Sequence, residues 1–453
     1  MKDKMLGGII GFCVGDALGV SVEFMTRESL AQDPVTDMRG YGTYNQPPGT
    51  WSDDTSMVLC FMDSFIHSKK LNYWDLITKY ISWMNEAEYT PHGEVFDIGN
   101  TTRSALEFYI EHPEKYHFAP DTGWIGAGGT SEYDNGNGSL MRILPYVFLL
   151  SNASRGKDAI RENKDISRTI HEISSMTHNT YRCSIACGIY IYIAKRLIVG
   201  DTIKDAVRTG VYDAVRAGLG AVSLDEPEGS EQKRAYSDEL KRYERILDRE
   251  NQGFSNLPKE SIKSSGYVVD TLEAVLWCLL NTDDYESCVL KAVNLGGDTD
   301  TIAALAGGLA GIHYGINAIP EKFTCHISRL DYIKQLCSDY YTAINNKHKP
   351  QFALDDLKKI QKYFHELILE RNINNEPFLE MENKKLPTIT NKIRGKEKWY
   401  PVPGMYGGFK YHLTEKNGRP MLISESWCRI VGGSGQRHEI TTDDCVCVEE
   451  GFV

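Results

Sequence analysis

Apolar residues recur every three to four positions along most of the chain up to residue 371, which is the period of an α-helix. The spacing predicts helices at 5–19, 54–68, 73–85, 98–111, 167–176, 180–197, 202–217, 266–280, 284–293, 299–313, 328–345 and 353–371. Few stretches before residue 395 alternate with the two-residue period of a β-strand. We therefore predict an all-α fold, with a compact multi-helix domain at residues 1–348.

The pattern changes after Trp399, where Gly and Pro residues separate short runs of β-type residues. The runs are 409–413, 421–431 and 445–448. They predict a small β-rich appendage at residues 396–453, joined to the helical domain by a helix and polar linker at 349–395. A unit of this size more often serves oligomerisation or partner docking than catalysis.

The first predicted helix carries glycine at every fourth position, at Gly7, Gly11, Gly15 and Gly19. Each glycine costs about 0.8–1 kcal/mol of helix propensity relative to alanine, so four of them on one face indicate a packing requirement. A face without side chains lets a second helix approach closely. We therefore expect another helix to pack on this face at short range.

Two further segments are unusual in composition. Residues 222–262 are strongly charged, which predicts an exposed insertion that contains a solvated helix. Residues 123–139 are rich in glycine and amide side chains. This composition suits a loop whose backbone N–H groups face an anion, and it suits a long turn equally well.

Net charge and cysteine spacing limit the classes of binding partner and the cellular compartment that the sequence supports. A net charge of −12 disfavours a nucleic-acid backbone or an anionic membrane as the main partner. No apolar run reaches the ~18 residues needed to span a bilayer, and the first residues lack the pattern of a signal peptide. The 11 cysteines lie in apolar contexts without the spacing of a disulfide framework. We predict a cytoplasmic protein with no membrane partner, and with nucleic acid only as a modified substrate.

Two acidic clusters are the strongest candidates for chemistry. Ser52-Asp53-Asp54-Thr55 and Asp298-Thr299-Asp300-Thr301 each stand directly before an apolar helical segment. Ser, Asp and Thr are also preferred helix N-caps, but a cap needs one side chain and each cluster supplies several. If the fold brings the two helix starts together, the carboxylates need a cation between them. Oxygen ligands without Cys or His favour Mg²⁺, Mn²⁺ or Ca²⁺ over zinc.

Five motifs follow one another along residues 5–320. They are Gly15-Asp16-Ala17-Leu18-Gly19 with Glu23, Trp51-Ser52-Asp53-Asp54-Thr55-Ser56-Met57, Gly136-Asn137-Gly138-Ser139-Leu140-Met141-Arg142, Thr177-His178, and Asn294-Leu295-Gly296-Gly297-Asp298-Thr299-Asp300-Thr301. In this order they resemble the ADP-ribosylglycohydrolase family, which includes the dinitrogenase reductase-activating glycohydrolases. Each motif alone is weak evidence, so the resemblance depends on all five in series.

The resemblance implies an all-α catalytic domain that removes ADP-ribose from a modified acceptor with two divalent cations, Mg²⁺ or Mn²⁺. By matching positions, the implied metal ligands are Ser52, Asp53, Asp54, Asp298, Asp300 and Thr301. It further implies that Glu23 lies beside the metals and that Asn137, Gly138 and Ser139 belong to a loop that contacts ADP-ribose. His178 falls between two predicted helices, where position alone favours a capping or surface role. The resemblance instead implies that it lies near the ligand's phosphates and ribose.

The predicted reaction is metal-assisted hydrolysis of the glycosidic bond at the ribose anomeric carbon. In it we assign Asp298 to activation of the water and Glu23 to assisting the reaction or gating the site. Two alternatives stay open: a two-metal nucleotide phosphohydrolase, and a non-catalytic ADP-ribose-binding or structural member of the family. The acceptor, either an ADP-ribosylated protein or a small molecule, and the oligomeric state are also open.

Two positions depart from the family pattern. Ser52 stands where many members carry threonine, which preserves an oxygen ligand. The loop 131–135 before Asn137 does not match the members that compare best. The resemblance therefore leaves the preference for an acceptor open.

Overall fold

The computed structural model describes residues 1–112, 126–150, 159–222, 231–247 and 252–345, together with short strands between 351 and 448. The chain divides into two compact units, Met1–Asn345 and Asn346–Val453. The described residues of the first unit form helices joined by irregular segments, and their β structure is limited to two isolated bridges. The prediction of an all-α domain is therefore confirmed.

The helices of the first unit account for most of its described residues. They are α1 (Lys2–Val20), α2 (Arg27–Gln32), α3 (Asp53–Ser68), α4 (Tyr73–Glu86), α5 (Asn100–Glu111), α6 (Tyr146–Leu149), α7 (Ala159–Ser175), α8 (Tyr181–Val199), α9 (Ile203–Val222), α10 (Glu231–Leu240), α11 (Glu244–Leu247), α12 (Gln252–Ser255), α13 (Val268–Leu280), α14 (Tyr285–Val293), α15 (Thr299–Tyr314), α16 (Glu321–Thr324) and α17 (Leu330–Asn345). None of the described helices combines the length and apolarity needed to cross a bilayer.

Most helix ends lie within about three residues of the ends predicted from periodicity. The largest differences are the start of α7 at Ala159 and the end of α9 at Val222, both of which extend the predicted helices. Helices α2, α6, α11, α12 and α16 span six residues or fewer, which is too short to show a period. The helix predicted at 353–371 lies outside the described residues.

Helices α1 and α15 pack along each other more closely than side chains normally permit. A Cβ atom added at Gly15 would lie 2.0 Å from the carbonyl oxygen of Ala303, and one added at Gly19 would lie 2.3 Å from the backbone nitrogen of Asp300. The short-range contact predicted for the glycine face is therefore confirmed. Because the contact runs to Gly19, it brings the end of α1 against the beginning of α15.

The charged segment after α9 is less exposed than predicted. Its described helices bury an apolar set that comprises Tyr236, Leu240, Tyr243, Ile246 and Phe254. The Tyr243 hydroxyl donates to the carbonyl oxygen of Arg182 at 2.6 Å, and the Arg182 guanidinium lies 2.6 Å from Glu239. The prediction of an exposed insertion is wrong for these five residues, because apolar side chains that recur every three to four positions from Tyr236 to Ile246 pack the charged segment against the helical domain.

Short strands are described in the second unit. They are β1 (Gln351–Phe352), β2 (Trp399–Pro401), β3 (Gly407–Lys416), β4 (Arg419–Cys428), β5 (Gln436–His438) and β6 (Val446–Val448). Strands β3 and β4 are antiparallel, β2 pairs with β3, and β4 also pairs with β5 and β6. Residues 353–398 lie outside the described residues. The division at 349–395 and the β-rich appendage at 396–453 therefore stay predictions.

Candidate functional site

The structure brings the two acidic clusters together. The Thr301 hydroxyl, at the start of α15, donates to Asp54 Oδ2, at the start of α3, over 3.1 Å. Asp54 and Asp300 are each 1% exposed. Two helix starts that are distant in sequence therefore share one buried acidic region.

The first cluster is held in place by Asp16, a fully buried residue of α1. Asp16 Oδ1 accepts from the backbone nitrogen of Ser52 at 2.9 Å, and Oδ2 accepts from the backbone nitrogen and hydroxyl of Thr55 at 3.0 and 2.6 Å. Ser52 caps α3, since its hydroxyl accepts from the backbone nitrogen of Asp54 at 3.3 Å. The carboxylate of Asp16 thus fixes the loop that presents Asp53 and Asp54.

The second cluster is positioned by two glycines that lie in the left-handed region. Gly296 has φ +72° and Gly297 has φ +76°. Gly297 exchanges two backbone hydrogen bonds with the segment after α1, one from its nitrogen to Met25 O at 2.9 Å and one to its oxygen from Phe24 N at 2.7 Å. Thr299 then donates from its hydroxyl to Gly19 O at 2.8 Å. These bonds hold the start of α15 against the end of α1.

Two further acids join this region. Carboxylate oxygens of Glu23, Asp97 and Asp300 lie within 4.8 Å of one another. Glu23 was predicted only through the resemblance, and Asp97 was not predicted. Asp97 lies between Phe96 and Ile98 in an irregular segment. An acidic residue between two apolar residues was the feature of the sequence that could have indicated it.

These carboxylates raise one another's pKa. Burial, followed by repulsion from Asp97 and Asp298, raises the pKa of Glu23 to about 9. Burial and then Asp298 raise the pKa of Asp97 to about 6. Burial and neighbouring carboxylates also raise the pKa well above the usual aspartate range at Asp53, Asp54 and Asp300. So many acids remain ionised together in a buried site only if a cation lies among them.

The residues present fit a divalent cation. Four buried carboxylate oxygens of this region have no hydrogen-bond partner among the described residues: Glu23 Oε2, Asp54 Oδ1, Asp298 Oδ1 and Asp300 Oδ2. A buried polar atom without a partner is costly, and coordination to a cation removes that cost. The donors are all oxygens, which suits Mg²⁺ or Mn²⁺.

A loop before α6 reaches the acidic region through Asn137. Its side-chain amide donates to Asp298 Oδ2 at 2.7 Å and to the Thr271 hydroxyl at 3.0 Å. The next residues turn away from Asp298. The Ser139 hydroxyl is fully buried and accepts from Ser174 at 2.9 Å, so it is engaged in the core.

His178 is buried, so the surface role that its position allowed is wrong. Its Nδ1 lies 2.8 Å from the Thr177 hydroxyl. A Cβ atom added at Gly138 would lie 2.7 Å from His178 Cε1, so the glycine makes room for the ring. Burial, and then Arg142, lower the pKa of His178 to about 3. A neutral imidazole thus stands beside the loop that holds Asn137.

Comparison with known proteins identifies the class of enzyme that this helical fold and acidic region define. The chain matches the ADP-ribosylglycohydrolase family model over residues 1–350 and belongs to that family. The resemblance drawn from the five motifs is confirmed. The chain is therefore a member of a family of hydrolases that cleave ADP-ribose linkages.

Individual relatives share most of the helical unit. The chain is 32% identical over 343 residues to the ADP-ribosylarginine hydrolase Tri1 of Serratia proteamaculans (strain 568), covering 75% of this chain and 79% of that protein. It is 31% identical over 333 residues to the ADP-ribosyl-[dinitrogen reductase] glycohydrolase of Rhodospirillum rubrum, covering 73% and 91%. A solved chain described as an ADP-ribosylglycohydrolase-related protein complex matches with a TM-score of 0.56 and 27% identity, covering 76% and 98%.

Proposed function

We propose that this protein hydrolyses the bond between the anomeric carbon of ADP-ribose and the guanidinium nitrogen of a modified arginine, with divalent cations bound at the acidic region. The observation that carries the proposal is a set of buried carboxylate oxygens without a hydrogen-bond partner among the described residues. Three of them, on Asp54, Asp298 and Asp300, lie at two facing helix starts, and the fourth is on Glu23. The choice of arginine is supported by similarity to an ADP-ribosylarginine hydrolase.

The proposed ligands of the cations, two in number, are Ser52, Asp53, Asp54, Asp298, Asp300 and Thr301, with Glu23 beside them. Bound there, Mg²⁺ or Mn²⁺ supplies positive charge that orients the ribose hydroxyls and makes a water more acidic.

The proton transfers are assigned to side chains of this chain. The Asn137 amide donates to Asp298 Oδ2 and so fixes the orientation of the carboxylate, to which we assign acceptance of a proton from the attacking water. The water oxygen bonds to the anomeric carbon, the carbon–nitrogen bond breaks, and its electron pair goes to the guanidine nitrogen. Glu23 is our candidate to assist by returning a proton to that nitrogen.

The loop residues Asn137, Gly138 and Ser139 and the neutral His178 are proposed to contact ADP-ribose. The Ser139 hydroxyl is engaged with Ser174, so we assign its contact to the backbone. A neutral imidazole next to Gly138 can donate one hydrogen bond and accept another, which suits ribose hydroxyls and phosphate oxygens.

The acceptor is tested with a panel of substrates. Peptides ADP-ribosylated on arginine or on serine are incubated with the protein and Mg²⁺ or Mn²⁺, and released ADP-ribose is measured by liquid chromatography. We expect release from the arginine peptide at a rate at least about tenfold above that from the serine peptide, because the two leaving groups differ in charge and shape.

The same panel separates the alternatives. Free ADP-ribose should remain intact, whereas release of AMP or phosphate from it would favour a nucleotide phosphohydrolase. Binding of ADP-ribose without turnover of any modified acceptor would favour a non-catalytic member of the family.

Cation binding is tested by thermal unfolding, which does not depend on activity. We expect Mg²⁺ at about a hundred times its dissociation constant to stabilise the EDTA-treated protein by about 2.7 kcal/mol. The pKa of Glu23 is raised to about 9, so without a cation its contribution to stability is lost as pH rises towards that value. The stabilisation by Mg²⁺ should therefore be larger at about pH 8 than at about pH 6. Identical melting curves with Mg²⁺ and EDTA would contradict the cation assignment.

Three further features of the protein are also proposals. We propose that the C-terminal strands form a β appendage to the helical domain, that the protein is soluble and cytoplasmic, and that its substrate is a modified protein or a small ADP-ribosylated molecule. The similarity to hydrolases that act on ADP-ribosylated arginine or dinitrogen reductase supports the last of these.

A further inference from the structure

An open cleft of about 690 Å³ borders the acidic region, and Asp298 forms part of its wall. Asp298 is buried, and its Oδ1 has no partner among the described residues. The backbone of Gly266 is close by, since a Cβ atom added there would lie 3.2 Å from Asp298 Oδ2. We name this space the Phe24 cleft, after the residue at its edge, and define it by Phe24, Glu28, Glu260, Gly266 and Asp298.

Phe24 is unusually exposed for a large apolar side chain. It is 68% exposed and lies on the wall of the cleft. Its φ of +63° is in the left-handed region, which a bulky residue adopts at a cost of roughly 1–3 kcal/mol. The hydrogen bond from its nitrogen to Gly297 O at 2.7 Å holds it there. The backbone that carries the ring is therefore fixed next to the loop that carries Asp298.

The opposite wall comes from the end of the charged segment that follows α9. The Arg27 guanidinium donates to the carbonyl oxygens of Lys259 at 2.6 Å and Ile262 at 2.7 Å, and its Nε donates to Leu295 O at 2.8 Å. Arg27 therefore fastens this wall to the loop before α15. Because these N–H donors are bonded to backbone oxygens, the guanidinium is not assigned to ligand binding, although its positive charge remains on this wall.

The charges left on the walls are mainly negative. Glu28, Glu260 and Asp270 contribute carboxylates, and Glu28 and Glu260 are exposed. Lys263 is the free basic side chain among the residues that line the cleft. An exposed aromatic ring beside carboxylates is a favourable environment for a planar cation, because guanidinium stacks on rings and pairs with carboxylates.

We propose that the Phe24 cleft binds the acceptor side of the substrate, with the arginine guanidinium stacked on the Phe24 ring and the carboxylates of Glu28 and Glu260 supplying the counter-charge. This inference rests on the proposed function, since it assigns the part of the substrate that lies beyond the scissile bond. It also gives the charged segment a role, because Glu260 belongs to it.

The test compares Phe24→Leu with a matched control, Tyr41→Leu. Tyr41 is likewise an exposed aromatic residue in the left-handed region, with φ +60° and 66% exposure, and it does not line the Phe24 cleft. Two quantities are measured for each variant with Mg²⁺ present: kcat/KM on an ADP-ribosylarginine peptide, and the dissociation constant of free ADP-ribose by calorimetry.

We expect Phe24→Leu to lower kcat/KM roughly tenfold, mainly through KM, because a cation–π contact is lost. Free ADP-ribose lacks the guanidinium, so its dissociation constant should stay within about twofold of the wild-type value. Tyr41→Leu should leave both quantities unchanged. The double variant Glu28→Gln with Glu260→Gln should also raise KM for the arginine peptide without weakening the binding of free ADP-ribose.

The outcomes that overturn the assignment are distinct. If the wild type cleaves the arginine peptide and Phe24→Leu cleaves it equally well, the acceptor assignment fails and the proposed function stands. If Phe24→Leu weakens the binding of free ADP-ribose by the same factor as it lowers kcat/KM for the peptide, Phe24 supports the ADP-ribose site and not the acceptor site. If the wild type leaves the arginine peptide intact while it binds ADP-ribose, the proposed function fails, and this assignment fails with it.

Discussion

Replacing Asp300 by Asn is expected to slow ADP-ribose release by on the order of a thousandfold. Asp300 Oδ2 is buried without a partner, and the carboxylate is within 4.8 Å of Glu23 and Asp97. Asn has the same shape but lacks the charge that a cation needs. Without added cation, the variant should melt at a higher temperature than the wild type, because one of several repelling carboxylates is gone. Its stabilisation by Mg²⁺ should be lost. Steady-state kinetics and thermal unfolding check the two halves of this prediction.

The control for Asp300→Asn is Asp331→Asn. Asp331 also stands in the first turn of a helix, α17, but it is exposed. It therefore has the same relation to a helix start without the buried acidic neighbours, and its replacement should change neither activity nor the response to Mg²⁺. Full activity in Asp300→Asn, or an equal loss of activity in the two variants, would show that Asp300 only stabilises the start of its helix and does not bind a cation.

Replacing Gly15 by Ala is expected to destabilise the helical unit by several kcal/mol. The added Cβ would lie 2.0 Å from the carbonyl oxygen of Ala303 in α15, and a backbone atom cannot move aside as a flexible side chain can. The two helices must separate, and the start of α15 then shifts relative to Glu23. We expect a lower midpoint in chemical denaturation and a weaker response to Mg²⁺ in the same variant.

Gly188→Ala is the matched control for Gly15→Ala. Gly188 lies inside α8, and an added Cβ atom would meet nothing within 4 Å. Alanine should there be neutral or stabilise by up to about 1 kcal/mol, because it is the better helix former. If the two variants unfold at the same denaturant concentration, close packing of α1 on α15 is not what requires the glycine.

The sequence predicted those features of the fold that local patterns control. Helical periodicity located the longer helices, and the glycine spacing from Gly7 to Gly19 predicted the close contact of α1, which the structure places against α15. The burial of the charged segment was missed because charged residues dominate its composition, although Tyr236, Leu240 and Tyr243 recur at the i, i+4, i+7 spacing of an amphipathic helix. Their partners on α8 are set by tertiary packing, which no local pattern reports.

The candidate site also combines features that local sequence patterns predict with features that only tertiary packing determines. The two acidic clusters are conspicuous because each groups several oxygens at a helix start, and the structure brings them together through Asp54 and Thr301. Asp97 was not predicted because it is a single acid in a common context, and Asp16 was noted in the first motif without a role. Their positions depend on contacts between segments far apart in sequence, such as Asp16 with Ser52. The surface position that the sequence allowed for His178 was wrong, because burial of a residue between two helices follows only from how those helices pack.

The most direct measurement is a titration of the EDTA-treated protein with Mn²⁺, in which free Mn²⁺ is followed by electron paramagnetic resonance. Our account predicts two bound ions per chain in the wild type and the loss of at least one of them in Asp54→Asn and in Asp300→Asn, which come from the two different helix starts. Binding that is absent from the wild type, or that survives unchanged in both variants, would contradict a shared cation site at α3 and α15.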